Sequence, residues 1–461
     1  MFMNDNKNTK KIVIIGGGLS SLITGNYLLK KGYKVTIIEK EASIGGKLSI
    51  YEHEYYPYII YNKKELKQYL DELEIKYINE NNYVHSIKVN ENIKSININY
   101  NRFKEEIFDL SLNDDKEINN LFKIIKKYLD KNYNDSLLKK YENISIKDYL
   151  NKINSKQITD ILGNILPSNL SMRSLIIYLS LYLSEEIEIL NFNLISKLKE
   201  KYNYLGGKLL LNKKAIKFNF RRLNQVESVL LDDNTIINGD YFISSIDPKY
   251  TFENLLNKKI KDRRYYLRYE DYMNYILDKR IIIKFEIDRP FEYKYINVNI
   301  NNEKVGCSYI NNISIKKSLS DKFVYIEINQ NYNDYDFLKL LCTNKKLYNE
   351  YIENLVNKIK QIFKSNFKEY KIEYKGILTP IDIENKYNCY RGYLTGYLQT
   401  PNSQTIITDE KIKGINNLFI SSSIISSSGG IVNSIRVGKH AYEILEMEIK
   451  KNEKKEKNRH S

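Results

Sequence analysis

Residues 11–22 read KIVIIGGGLSSL, and Glu39 follows at the end of the next β-branched run, KVTII at 34–38. Ile12–Ile15 predicts a short buried strand, Ser20–Lys31 an amphipathic helix that stops at Gly32, and Lys34–Ile38 a second strand. Together they make a βαβ unit with a glycine turn at its first bend. That turn has the layout of a dinucleotide site. Gly16 makes the tight turn, and Gly18 lets a pyrophosphate approach the main chain. The helix start at Leu19 and Ser20 then faces its negative charge. Ser21 stands at the third small position, where Gly or Ala is usual and helix–strand packing is closest. Glu39 is placed to hydrogen-bond the adenosine ribose.

Outward from this unit, composition narrows the class. With 461 residues, two or three domains are expected. The 42% apolar and 28% charged content is too apolar for a disordered chain and too polar for a membrane-spanning bundle. The formal charge of +16 favours anionic partners, but the crowding of Lys, Asn, Ile and Tyr (41 Tyr, no Trp) is also what AT-rich coding produces. Cys307, Cys342 and Cys389 lie far apart, as do His53, His85, His440 and His460. Neither a disulfide framework nor a metal site is expected, and free thiols point to a reducing compartment. No zinc finger, aromatic RNA-binding motif or basic heptad region supports a nucleic-acid partner. Met172–Leu183 is apolar but too short to cross a bilayer, and reads as a buried core helix.

Residues 1–11 and 450–461 read as frayed polar ends. Asn119–Leu198 has helical spacing throughout. Gly207–Leu211, Lys214–Asn219, Glu227–Leu231 and Thr235–Asn238 follow as a β-meander. Ile281–Ile287 and Phe323–Asn329 predict strands of a further sheet, Lys346–Phe363 a helix, Leu418–Ile420 a strand, and Ile431–Glu446 the last helix.

Glu39–Lys47, EKEASIGGK, resembles the second glycine motif of the phytoene desaturase, carotenoid isomerase and amine oxidase superfamily of flavoproteins. There an acid, Gly-Gly and a basic residue lie along the FAD diphosphate. The resemblance places Lys40, Gly45, Gly46 and Lys47 at the cofactor, with Lys47 where relatives carry Arg. Leu205–Ala215 is similar to the strand beside the adenine, with Ala215 at its contact position. Phe242–Phe252, Thr379–Pro380 with Tyr387 and Arg391–Tyr397, and Asn416–Ile431 resemble three further segments in the same order. The last implies Ser423, Gly430 and Ile431 near the flavin ring. Two departures stand out. Ser422-Ser423 replaces a Gly followed by an acidic or amide residue, and Glu188–Phe192 stands where a Gly-Gly pair is usual.

The resemblance implies an α/β protein with a discontinuous Rossmann-like FAD-binding domain at 1–95, 199–260 and 398–450. An inserted α+β substrate domain falls at 96–198 and 261–397, with a charged tail at 451–461. It implies FAD as cofactor and hydride exchange with a lipophilic polyene or isoprenoid: desaturation, saturation or cis–trans isomerisation. The implied location is cytoplasmic, with possible peripheral contact to acidic membrane. The rival expectations are an amine- or protoporphyrinogen-oxidase-like activity, or a degenerate relative that serves as a binding scaffold. No acid–base pair stands out, so no catalytic residue is assigned. Arg391, Tyr393 and Tyr397 read as structural support.

Overall fold

The computed structural model describes residues 10–49, 56–79, 82–111, 116–131, 134–190, 193–260, 262–305, 308–403, 410–426 and 429–460. His53, Cys307 and the end of the Glu188–Phe192 segment lie outside them.

A five-stranded parallel sheet runs in the order Leu418–Ile420, Tyr241–Ser244, Lys11–Ile15, Lys34–Ile38, Lys208–Leu210. Its central strands are nearly continuous apolar runs because both faces are covered. On one face the helix Leu19–Lys30 lies against helix Asn193–Tyr204 and the closing helix Ile431–His460. The crossing is tight. A Cβ on Gly438 would sit 2.6 Å from the Ser20 carbonyl oxygen, and Thr24 Oγ1 donates to the Gly438 carbonyl at 2.8 Å. The other face carries an antiparallel meander of Ala215–Arg222, Gln225–Leu231 and Ile236–Asn238. Phe218, Val229 and Leu231 of that meander pack on Val13 and Phe242.

Three expectations need correction. Lys208–Leu210 does not join the meander but forms the edge of the parallel sheet, pairing with Lys34–Ile38. Residues 450–460 continue the closing helix instead of fraying. His85–Val89 and Asn92–Ser95, grouped by sequence with the nucleotide-binding segments, belong to a second sheet, where His85–Val89 pairs with Tyr295–Val305.

That second sheet has seven strands, in the order Ile372–Leu378, Arg280–Ile287, Phe323–Asn329, Ser308–Lys317, Tyr295–Val305, His85–Val89, Asn92–Ser95. Alternation divides its faces. Ile281, Ile283 and Phe285 pack with Ile359, Ile362 and Phe363 of the long helix Lys345–Asn366. Arg280 and Ile282, with Glu327, Ser314 and Asn297 across the ladder, turn the other way. A helical layer that includes Lys116–Asp130 and Met172–Leu183 completes the molecule. Met172, Leu175, Ile176 and Leu179 are fully buried there, as expected of a core helix.

Candidate dinucleotide site and inner chamber

A cavity of about 330 Å³ runs from the first glycine turn to the seven-stranded sheet. At its outer end the two glycine motifs touch. Gly45 N–H donates to the Gly17 carbonyl at 2.8 Å, and Gly18 and Gly45 form a parallel bridge. Gly16 has φ +94°, and a Cβ there would meet Ile246 Cγ2 at 2.8 Å, so the turn itself demands glycine. Gly18 is different. Its backbone is ordinary (φ −72°), and a Cβ would meet nothing within 4 Å. Only an occupant of the cavity would forbid a side chain there. Gly18 caps the first helix without a side-chain bond, which leaves the helix start open to the same space.

Glu39 is buried beneath this turn. Its Oε2 accepts from Gly17 N–H at 2.5 Å and its Oε1 from Glu41 N–H at 2.9 Å. Burial pushes its carboxyl up, and the two amides oppose that shift. Lys47, on the second motif, donates to the Tyr393 carbonyl at 3.0 Å and lies 3.6 Å above the Tyr393 ring. Burial lowers its ammonium pKa. Among the described residues it makes no ion pair, so a half-buried cation faces the cavity with no carboxylate bonded to it, although Asp247 and Asp278 favour its charge from a distance. Lys40 sits at the rim, 3.7 Å from Glu41.

Ser245, beside the first turn, has a buried Oγ with no hydrogen-bond partner, and it lines the cavity. Ala215, Ser422, Ser423, Gly430 and Ile431 line it too. Gly430 has φ +97° with open space where a Cβ would be, directly before the closing helix. An open cradle of glycines, an unmatched cation, an orphaned hydroxyl and two helix starts fit an extended molecule with a central diphosphate.

Every residue expected at the cofactor lines this cavity except Ser21. Its side chain is fully buried, and its Oγ donates to the Gly16 carbonyl at 2.5 Å. The hydroxyl at the third position ties the helix to the turn it follows. Arg391 pairs with Asp336 at 2.6 Å, and Tyr393 packs under Lys47. The Gly-Gly departure falls partly on a strand, Ile187–Ile189, which pairs with Ile59–Tyr61.

At the inner end side chains take over. Tyr58, Ile59, Tyr61, Ile165, Leu166 and Pro167 form apolar walls. The floor is polar. Lys316 Nζ lies 2.6 Å from Glu327 Oε1, and Arg280 bonds Glu327 Oε2 at 2.7 Å and Asp278 Oδ1 at 2.8 Å. Tyr56 donates its hydroxyl to Glu327, and Thr395 donates to Asp278 at 2.6 Å. Burial alone would raise the Glu327 pKa, but Lys316 and Arg280 hold it down to about 2. Glu327 therefore stays ionised, and the network sets two basic side chains against two acidic ones. Nothing in the sequence assembles it, because its members come from three strands and three loops. The one available signal is polar residues alternating with Ile along Tyr295–Val298 and Ser314–Lys316.

The family model described as the Thi4 family matches residues 2–108. No curated protein matches the chain. Among solved structures, an oxidoreductase from Methanosarcina mazei is 15% identical, with 95% of this chain and 100% of that chain covered and a TM-score of 0.63. The CLA-producing fatty acid isomerase from P. acnes is 12% identical, covering 94% and 98%, at a TM-score of 0.59. A putrescine oxidase variant is 12% identical, covering 95% and 98%, at 0.55. At these identities what the likenesses establish is the fold: an α/β chain whose parallel sheet carries a Rossmann-like dinucleotide-binding turn, joined to a mixed sheet and a helical layer.

Proposed function

We propose that the chain is an FAD-dependent oxidoreductase acting on a lipophilic small molecule, of polyene or isoprenoid type, held in the inner chamber. The observation that carries this reading is the pair of glycine turns in mutual contact, with the Gly18 cradle open and Lys47 unmatched beside it. Gly16, Gly18 and the start of the first helix would hold the diphosphate, and Lys47 would offset its charge. Glu39 would accept from the adenosine ribose and Ala215 would flank the adenine. Ser423, Gly430 and Ile431 would face the ring, where the closing helix start favours negative charge. Hydride exchange with a substrate carbon is the chemistry FAD supplies when bound. The chain's own part is to bind, orient and exclude water. Tyr58, Ile59, Tyr61, Ile165 and Leu166 supply an apolar wall for that purpose.

The purified protein should be yellow and show flavin absorption bands. Colourless protein that takes up no added FAD would overturn the reading and favour a non-catalytic relative. Incubation of the FAD-loaded protein with lipid extracts should yield a product differing by two hydrogens, or an isomer, detected by mass and chromatography. Among the described residues no helix is long and apolar enough to cross a membrane. The +16 charge supports peripheral contact with acidic lipid, which sedimentation with anionic against neutral vesicles would test.

A further inference from the structure

The floor of the inner chamber has a fixed hydrogen-bond polarity, and that polarity selects a chemical group. Asn297 is buried on the strand Tyr295–Val305. Its Nδ2 lies 2.6 Å from the Asn164 carbonyl and 3.1 Å from the Ile165 carbonyl. Two carbonyl acceptors fix the amide nitrogen on that side and turn Oδ1 the other way. Oδ1 is 2.8 Å from Ser314 Oγ, so Ser314 must donate its single proton to it. The Ser314 oxygen is left as an acceptor only. Tyr295 donates to it at 3.2 Å, and the remaining lone pair belongs to the chamber, which Ser314 lines.

The chain of bonds extends behind the floor and holds this direction. His85 Nε2 is 3.2 Å from Asn297 Nδ2, and His85 Nδ1 is 2.5 Å from the Tyr178 hydroxyl. A neutral His85 with its proton on Nδ1 donates to Tyr178 and turns its bare Nε2 toward the Asn297 amide, sharing the N–H that also reaches the Ile165 carbonyl. A protonated ring would set two donors against each other. Burial keeps the ring neutral by pushing its pKa down to about 3.

The charged groups beside Ser314 decide which donor fits. Lys316, Arg280, Glu327 and Asp278 are already matched with one another. An added ammonium or carboxylate would enter a buried site with no free counter-charge, at a desolvation cost. A neutral hydroxyl bears no such cost.

We propose that the chamber recognises a hydroxyl group on an otherwise apolar substrate, accepted by Ser314, and discriminates against the matching acid, amine and ether. This rests on the preceding reading of the chamber as the substrate site and deepens it. Ser314 would touch the substrate. Asn297 and His85 are positioning residues that fix which way Ser314 points.

Calorimetry on the full, FAD-treated chain tests this with decan-1-ol, 1-methoxydecane, decanoate and decylamine. Decan-1-ol should bind about three- to tenfold tighter than the ether, which keeps the oxygen but lacks the proton. Ser314→Ala should remove that preference while leaving ether affinity unchanged, with a modest fall in melting temperature because Asn297 Oδ1 loses its donor, and Ser314→Thr should restore both. His85→Gln, which can no longer fix the Asn297 amide in the same way, should narrow the preference without abolishing ether binding. Equal binding of alcohol and ether, tighter binding of acid or amine, an unchanged preference in Ser314→Ala, or no binding of any probe would each overturn the proposal. The preference is read whatever the colour of the protein, so the hydroxyl assignment and the FAD assignment fail separately.

Discussion

Around the glycine turns the cavity is walled by main chain, whereas against the seven-stranded sheet it is walled by side chains. The outer end leaves groups unmatched: the open space at Gly18, the lone cation of Lys47 and the orphaned hydroxyl of Ser245. At the inner end the charges are matched, with Lys316, Arg280, Glu327 and Asp278 bonded among themselves and Asn297 held by two carbonyls. Unmatched groups in a cradle await a ligand that completes them. A saturated floor instead offers shape and one directed lone pair.

The contrast breaks most visibly at Glu327. Glu327→Gln leaves Arg280 and Lys316 without their shared counter-charge and should cost about 3 kcal/mol in urea denaturation at neutral pH, with little effect on FAD affinity. Acid should act on the same end. The Glu327 carboxyl is held from 4.5 down to about 2, so its contribution is in place above about pH 4.5 and is lost as pH falls toward 2. His85 is lowered from 6.5 to about 3, so the unfolded chain takes up a proton there first, and stability falls as pH drops through that window. His85→Gln should flatten the melting-temperature profile between pH 6.5 and 3.

At the outer end the largest effect belongs to Gly18→Leu. Its backbone tolerates a side chain and a Cβ there meets nothing within 4 Å, so stability should hold while FAD affinity falls about a hundredfold, roughly 2.7 kcal/mol. Gly16→Ala should do the reverse, losing about 1–3 kcal/mol of stability through strain and contact with Ile246. Lys47→Ala should weaken FAD binding about tenfold, and Lys47→Arg should retain most of it. Ser21→Ala, which removes the bond to the Gly16 carbonyl, should cost only about 1 kcal/mol of stability. Equal sensitivity of FAD affinity to Gly18→Leu and Glu327→Gln would erase the distinction between the two ends.

The same contrast explains what could be read in advance. A main-chain site advertises itself through glycine. Gly16, Gly18, Gly45, Gly46 and Gly430 lie within a few residues of the elements they join, and periodicity placed Lys11–Ile15, Lys34–Ile38, Met172–Leu183 and Leu418–Ile420 to within a residue. The side-chain floor left no such trace. Ser314 faces Asn297 only because two long strands pair in one register, and Lys316 meets Glu327 across the next pair. Sheet membership was opaque for the same reason. Lys208–Leu210 and His85–Val89 are short runs that would suit several sheets, and tertiary packing assigned them. Ser21 looked like an imperfect glycine because local pattern shows size but not what a hydroxyl can reach.

Ser20 donates its hydroxyl to the Ser421 carbonyl at 2.6 Å, and the closing helix crosses the first helix at Gly438. During synthesis the opening βαβ unit therefore emerges long before the strand and helix that complete its sheet and cover its face. Several hundred residues must leave the ribosome before those contacts exist. A newborn chain holds its nucleotide turn half-built through most of translation, and chaperone access to its exposed apolar face would be greatest in that interval.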